Sequence, residues 1–600
     1  MSQIPTGATL ESQRDELAET PDPYGAYPRL SPQQMRALEA QGERRRTSPG
    51  DVIFQAGDKS YDFVVVLQGL VAIVERWHGA ERLIAAHGPG RFLGELNLLT
   101  GETVFVSAVA HEPGEVLVVP ADRLREIVAE DPVLGDLILR AFVVRRSILI
   151  GLRTGLRILG SRHSPDTRRL REFAARNRLP HSWVDLEEYP AADALLSELG
   201  VTPAETPVVI WCGEKVLRNP SNAELATVVG LPVATSNEKT CDLVVVGLGP
   251  AGLAAAVYGA SEGLDTIAID GVAPGGQAGT SSRIENYLGF PSGISGAELA
   301  ERAAIQAVKF GARPRFAQQA TSLAQNEGHY VIRLEDGAEI QSRSVLIATG
   351  ARYRRLAIPR LEEFEATSVY YAATEIEAQF CRSDTVAIVG GGNSAGQAAV
   401  FLSDHAPLVH LIVRGSDLGE SMSRYLVDRI ERIENVQVRL NTEVKELLGD
   451  DTLTGVVCVD NETDERQELE VRALFIFIGA VPHTDWLGDQ LALDDRGFVL
   501  TGRDVERDGP HIPPVQPEHE PLFLETSRPG VFAAGDVRSG SIKRVASAVG
   551  EGSMAVRLVW EHLGGIHDLD RPVASQQGAP PGEGDRVPAE PATPRIPTRA

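Results

Sequence analysis

Two glycine-rich turns, each set between an apolar run and an alanine-rich helical stretch, constrain this chain more than any other feature. The first is Gly247-Leu248-Gly249-Pro250-Ala251-Gly252, which follows an apolar run at 242–246 and opens a helical pattern at 253–261. A second apolar run at 266–269 ends in Asp270. This is the strand–turn–helix setting in which a GxGxxG pattern binds a dinucleotide. Gly247 permits the tight turn, Gly249 lets backbone amides approach a pyrophosphate, and Gly252 lets helix and strand pack closely. The helix N-terminus stabilises the phosphate charge, and Asp270 is placed to accept hydrogen bonds from a ribose.

The second turn is Gly390-Gly391-Gly392-Asn393-Ser394-Ala395, after an apolar run at 385–389 and before a helix ending near Ser403. The next apolar run, 409–413, ends in Arg414, where the first unit has an acid. Alanine at the third position and arginine in place of the acid suit a 2′-phosphate, so NADPH rather than NADH is expected. The candidate NADPH residues are Gly390, Gly392, Asn393, Ser394, Ala395 and Arg414. Arg424 is a further candidate contact.

The rest of the composition narrows the function classes. A net charge of −25 excludes general nucleic-acid binding and attraction to anionic membrane surfaces. Four cysteines, none in a CxxC pair, exclude a disulfide scaffold and point to a reducing compartment, hence a cytoplasmic protein. The run at 133–152 is the most apolar helical pattern, but Arg140, Arg145 and Arg146 interrupt it as a membrane span. No metal site is expected.

Along the chain, residues 1–30 are rich in Pro and acid and are read as flexible. From 31 to 150 a short helix at 32–41 precedes β-like runs at 52–54, 63–67, 70–76, 83–86, 104–110 and 115–119, then helical patterns. Short strands at regular spacing mean a sandwich or roll. Residues 151–236 alternate strand and helix as a small α/β layer. Residues 237–566 form a long βαβ region, and 567–600 are expected to be a disordered tail.

Further residues of that βαβ region resemble the thioredoxin-reductase-like flavoproteins, among the pyridine nucleotide-disulphide oxidoreductases. Gly275-Gly276-Gln277 is similar to the family's flavin-contacting GGQ. Glu285-Asn286-Tyr287 with Phe290-Pro291 is similar to its ENYPGFP, and Ala348-Thr349-Gly350 to the ATG at the domain crossover. The segment from Gly530 to Gly535 and Asp536 resembles the one whose Asp meets the ribityl and phosphate region. Lys543-Arg544-Val545-Ala546-Ser547 resembles the start of the helix facing the isoalloxazine. The resemblance implies FAD on the first unit and NADPH on the second. It implies a split FAD domain, 237–352 and 480–566, with an NADPH domain, 353–479, inserted. It also implies hinges near Gly350 to Tyr353 and Gly479 to Pro482. A homodimer is expected.

The family's redox dithiol is absent. Tyr370-Tyr371-Ala372-Ala373-Thr374-Glu375 stands where a CxxC belongs, and Cys381 is single. Residues 31–150 resemble a cyclic-nucleotide-binding β-roll through Pro49-Gly50-Asp51, Gly57-Asp58 and Gly94-Glu95-Leu96. The phosphate-pairing Arg of that family is replaced by Val104-Phe105-Val106, so weak or no cAMP binding is expected. Arg91 is the candidate substitute. Residues 157–235 resemble a thioredoxin fold with a cis-proline at Thr206-Pro207; its CxxC position reads His163-Ser164-Pro165-Asp166.

The expected fold class is therefore α/β multidomain, two Rossmann-like domains preceded by a β-roll and a thioredoxin-like domain. The expected reaction is hydride transfer from NADPH to flavin. No side chain is assigned as a certain catalytic residue. The acceptor stays open among a quinone, a small redox protein and dioxygen. The alternatives are thioredoxin-disulfide reduction through Cys381 or a partner's thiols, and a non-catalytic redox sensor.

Overall fold

The computed structural model describes residues 17–570, apart from 78–79, 190–191, 214, 236–238, 282, 327, 366, 372, 374–376, 379–380, 382, 451 and 506–519. The tail beyond Asp570 lies outside the described residues.

The first glycine turn follows the strand Cys241–Val246, which pairs in parallel with Thr266–Ile269 on one side and Glu339–Ile347 on the other. Its inward residues are fully buried, as the continuous apolar run requires for a strand covered on both faces. The late strand Val531–Ala533 pairs in parallel with Glu339–Ile347, so the C-terminal segment completes the sheet begun by the first. The inserted domain has its own five-stranded parallel sheet, in the order Val369–Tyr370, Ala473–Ile476, Val386–Val389, Val409–Ile412, Val436–Arg439. The two crossings form a short antiparallel ribbon, Ala351–Tyr353 against Ala480–Pro482, at the positions read as hinges.

Ahead of these lies a four-stranded sheet ordered Lys215–Arg218, Val208–Trp211, Leu156–Gly160, His181–Asp185. Thr206–Pro207 is cis, as expected for a thioredoxin fold. The N-terminal roll has two antiparallel sheets, built on Phe63–Gln68 and on Val71–Trp77. Its first strand, Glu43–Thr47, was not anticipated, because four of its five residues are exposed and three of those are arginines. Residues 104–106, expected to be strand, lie outside it; only Ser107–Ala110 pairs.

Residues 17–30, read as part of a flexible lead-in, instead pack on the roll. Thr20 donates its N–H to the Ala86 carbonyl at 3.0 Å, Ala26 and Tyr27 are buried, and Arg91 pairs with Glu19 at 2.7 Å. Arg145 explains part of this. Its guanidinium donates to the carbonyls of Ala26, Gly94 and Phe92 at 2.6–3.0 Å, which offsets the cost of burying the charge. Among the described residues no helix is long and apolar enough to cross a membrane.

Domain contacts are extensive. Phe105 of the roll meets Trp211 of the thioredoxin-like layer edge-on at 5.1 Å. Thr103 binds the Val229 carbonyl through its N–H and hydroxyl, at 3.1 and 2.8 Å. The helix Pro165–Arg176 and the residues after it touch both dinucleotide domains.

Candidate functional site

The first glycine turn and the helix start that follows the second border one cleft. At the first, Gly247 has φ +101°, and a Cβ there would stand 2.4 Å from the Ala348 carbonyl oxygen. A Cβ on Gly252 would come within 1.8 Å of the Gly247 oxygen, so the helix Pro250–Ser261 can lie this close to its strand only with glycine there. Gly249 differs: a Cβ there meets no protein atom within 4 Å. Its backbone faces open space at a helix N-terminus, the arrangement that receives a pyrophosphate.

Asp270 borders the cleft, but its carboxylate also organises the turn. Oδ2 accepts from Leu248 N–H at 2.9 Å, and Oδ1 from Val272 and Ala273 N–H at 2.9 and 3.0 Å. Gly275 donates its N–H to the Leu248 carbonyl at 2.7 Å. The Gln277 amide donates to the Ala351 carbonyl, tying the GGQ turn to the crossover ribbon. Thr349 donates its hydroxyl to the His483 carbonyl at 2.9 Å, joining the two crossings.

The far wall comes from the late segment. Gly535 N–H donates to Glu551 Oε2 at 2.7 Å, and Glu551 pairs with Arg538 at 2.5 Å. Burial pushes the Asp536 carboxyl up, with Lys543 acting against the shift. The helix Val545–Asp570 starts at the cleft, where Arg544 and Val545 border it and Ala546 lies in its first turn. It approaches the first helix so closely that a Cβ on Gly552 would stand 2.0 Å from the Ala251 oxygen. Pro250, Ala251, Gly276, Asn286, Ala348 and Gly350 also border this space. The turn, the open amides and the dipole of a second helix fit FAD.

From the inserted domain, Asn393 and Ser394 reach the same cleft, while Gly390, Gly392, Ala395 and Arg414 lie off it. Gly390 has φ +146°, and a Cβ there would stand 2.3 Å from the Phe477 oxygen; a Cβ on Gly392 meets nothing within 4 Å. Asn393 Oδ1 accepts from Ser423 N–H at 2.6 Å, fixing the helix start. Arg414 is exposed, with Glu443 at 4.0 Å, so its guanidinium is open to a phosphate. Arg424 is exposed and pairs with Asp428 at 2.8 Å. The open amide at Gly392 and the exposed guanidinium of Arg414 fit NADPH.

Bordering residues that the sequence reading did not name include Ala278, Ser281, Ile284, Gln397, Phe477 and Ala548. Gln397 lies one helical turn beyond Asn393, a spacing that could have revealed it. The others arrive through tertiary convergence.

The segment that stands where the dithiol belongs is part of the inserted domain, and of it Tyr370, Tyr371 and Ala373 are described. Tyr371 stacks on Tyr353 with ring centres 6.0 Å apart; Ala372, Thr374 and Glu375 fall outside the described residues. Cys381 is buried, and burial, with Glu377 and Asp384 nearby, pushes its thiol up to about 12. Such a thiol does not form a thiolate at neutral pH. In the thioredoxin-like layer Ser164 caps a helix, its Oγ accepting from Thr167 N–H at 3.3 Å.

In the roll, Glu95 pairs with Arg146 at 3.0 Å, and Arg146 with Glu102 at 2.9 Å, all nearly or fully buried. The cavity beside Glu95 is about 40 Å³, room for two or three waters at about 10–15 Å³ each. Arg91 does not substitute for the missing arginine, being held by Glu19 and by the Thr20 carbonyl at 2.5 Å.

Comparison with known proteins agrees with this geometry. The pyridine nucleotide-disulphide oxidoreductase model matches residues 241–552, and the cyclic nucleotide-binding domain model matches residues 44–131. The chain is 33% identical over 326 residues to the thioredoxin reductase of Treponema pallidum, covering 54% of this chain and 98% of that one. It is 32% identical over 360 residues to NADPH-dependent thioredoxin reductase 3 of Arabidopsis thaliana, covering 57% of this chain and 64% of that protein. The crystal structure of T. acidophilum thioredoxin reductase, at 30% identity, aligns with a TM-score of 0.49 over 55% of this chain and all of that one. With the first glycine turn and the second unit's helix start in one cleft and more than half its length matched, the chain is a thioredoxin-reductase-like oxidoreductase of the pyridine nucleotide-disulphide oxidoreductase family, carrying an N-terminal cyclic-nucleotide-binding-type roll.

Proposed function

We propose that the protein takes reducing equivalents from NADPH onto bound FAD and delivers them directly to an acceptor, with no internal dithiol. The observation that carries this reading is the shared cleft: Asn393 and Ser394 stand in the same space as Gly249, Gly276 and Asp536. When bound, the two cofactors supply the hydride chemistry. The chain's own part is to position and insulate. The glycine turns and their helix N-termini hold the pyrophosphates. Arg414 selects the 2′-phosphate, and the start of Val545–Asp570 places a positive dipole end against the flavin's electron-rich edge. Tyr353, whose hydroxyl burial pushes upward, stays neutral and walls the cleft from water.

Anaerobic titration with NADPH tests this reading. The protein should be yellow with about one FAD per chain and should bleach on NADPH addition. A protein that stays colourless after FAD addition, or yellow after NADPH, rejects it. Bleaching without turnover on any acceptor would favour the sensor reading.

A homodimer through the FAD domain accompanies this proposal. Tyr258 and Phe310 expose large apolar surface beside a groove of about 330 Å³ with a mainly apolar lining. Such a face on a small patch of surface is the kind that a second copy covers.

A further inference from the structure

Beside the dinucleotide cleft lies a larger cavity of about 770 Å³, which meets the cleft at two shared side chains, Ser281 and Gln397. Four domains contribute to it, the roll through Ile150 alone. Ala175 and Leu179 come from the thioredoxin-like layer, Ile294 and Ala297 from the FAD domain, and Val400 and Phe401 from the inserted domain. Its size falls within the roughly 300–1,000 Å³ of ordinary small-molecule sites.

The lining chemistry restricts the occupant. The walls are mainly apolar. The lining charges are nearly balanced, four arginines (Arg176, Arg178, Arg283 and Arg429) against five acids (Glu172, Glu285, Glu298, Glu377 and Asp404). Several of these charges are already engaged: Arg429 with Glu285 at 3.1 Å, Arg178 with Glu301 at 3.2 Å. His181 sits in the wall with its imidazole held neutral by burial, its Nδ1 hydrogen-bonded to the Leu179 carbonyl at 2.8 Å. Arg176 donates to the carbonyl of Gly276 at 3.3 Å, so the cavity's basic side touches the GGQ turn of the cleft itself. A multiply charged anion gains little at such a rim. A neutral, flat, apolar molecule with hydrogen-bond acceptors at its edge matches both the walls and the guanidinium.

We propose that this cavity is the binding site for a neutral quinone-class acceptor. This rests on the NADPH-to-acceptor reading above and names its substrate class. The overall reaction balances as quinone plus NADPH plus one proton giving hydroquinone plus NADP⁺. NADPH supplies two electrons and one proton as hydride, solvent supplies the second proton, and the two quinone carbonyls become hydroxyls. The thioredoxin-like layer thus forms one wall of a small-molecule site in place of carrying a dithiol.

The test uses the full-length holoprotein and menadione, in two measurements. Equilibrium dialysis of menadione against the oxidised protein, without NADPH, reads binding alone. Steady-state kinetics with NADPH reads kcat/KM for menadione. Ala175→Trp and Ala297→Trp fill the cavity from opposite walls, and neither residue belongs to a glycine turn. Each is expected to weaken menadione binding and lower its kcat/KM at least tenfold, while NADPH bleaching and ferricyanide reduction stay within twofold of wild type. Unchanged menadione binding in both variants overturns the proposal, as does a wild-type protein that binds no menadione. Failure of NADPH to bleach the wild-type flavin would instead remove the underlying reading, and the dialysis result remains interpretable without it.

Discussion

The guanidinium of Arg168 lies 4.6 Å from the centre of the Tyr370 ring and donates through Nη1 to the Glu365 carbonyl at 2.7 Å. Arg168 belongs to the thioredoxin-like helix Pro165–Arg176, while Tyr370 marks the segment where the resembled family keeps its dithiol. The other end of the same helix reaches the FAD domain. Arg176 donates to the Gly276 carbonyl at 3.3 Å, Asn177 Nδ2 to the Val272 carbonyl at 3.1 Å, and Arg178 pairs with Glu301 at 3.2 Å. One helix and its following turn therefore bridge both dinucleotide domains across the ribbon that joins them.

That bridge opposes rotation about Ala351–Tyr353 and Ala480–Pro482, the motion the sequence reading expected. Arg168→Ala removes a cation–π contact of about 0.5–2 kcal/mol and a charged hydrogen bond of about 1.5–3 kcal/mol before solvent compensates. The variant is expected to keep FAD but to exchange amide hydrogens faster at 351–353 and 480–481. Identical exchange in the two proteins would mean that the helix does not restrain the domains.

Arg414 is expected to set the preference for NADPH. Its guanidinium is exposed, so solvent screening holds its contribution near the lower end of the range for a charge-assisted contact, roughly tenfold in affinity. Arg414→Ala should bring the KM for NADPH up to that for NADH with little change in kcat. Equal use of both cofactors by the wild type counts against the assignment.

The roll is expected to bind cAMP weakly or not at all. Glu95, the residue that would take a ribose hydroxyl, is held by Arg146, and the adjoining cavity is about 40 Å³. Phe105, at the position of the missing arginine, is consumed by its contact with Trp211. Calorimetry should detect no binding at micromolar cAMP. Submicromolar affinity would require the Glu95–Arg146 pair to open.

How much of this was legible in the sequence follows from what kind of constraint each residue obeys. Gly247, Gly252 and Gly390 answer local steric demands, and local demands leave a pattern in the chain. The strand at Glu43–Thr47 leaves none, because its arginines face solvent. Arg145 and Arg146 read as interruptions of an apolar helix. In the fold they are among its most buried groups, satisfied by carbonyls and acids from 32 or more residues away in sequence. Asp270 borders the cleft, but its grip on Leu248, Val272 and Ala273 depends on backbone geometry that no motif records. Tyr353 and Phe477 enter the cleft only because two distant crossings meet there.

Acid should weaken the fold partly through His410. Burial, with Arg439 adding repulsion, lowers its imidazole from 6.5 to about 4. The unfolded chain then binds a proton the folded one refuses. Stability from this group is present above about pH 6.5 and is lost as pH falls from there toward about 4. The thermal midpoint should drop over that window, and His410→Phe should show a shallower drop than wild type. Parallel curves for the two proteins would assign the acid sensitivity elsewhere.

Cys381 is the last route by which electrons could pass through a thiol. Reducing a protein disulfide requires one thiol to attack and a second to resolve the mixed disulfide. None of the four cysteines forms a disulfide, and Cys241, Cys381 and Cys458 are buried. Each of these three thiols is pushed up by burial, to about 11 for Cys241 and Cys458 and about 12 for Cys381. At neutral pH the thiolate fraction of a group at about 12 is on the order of one in 10⁵ by simple titration. Native protein should therefore resist alkylation at Cys381 while denatured protein reacts. Cys381→Ser should keep FAD, NADPH bleaching and acceptor turnover at wild-type rates, within about twofold. If turnover collapses while bleaching survives, electrons leave through that sulfur, and the direct transfer proposed for this chain is wrong.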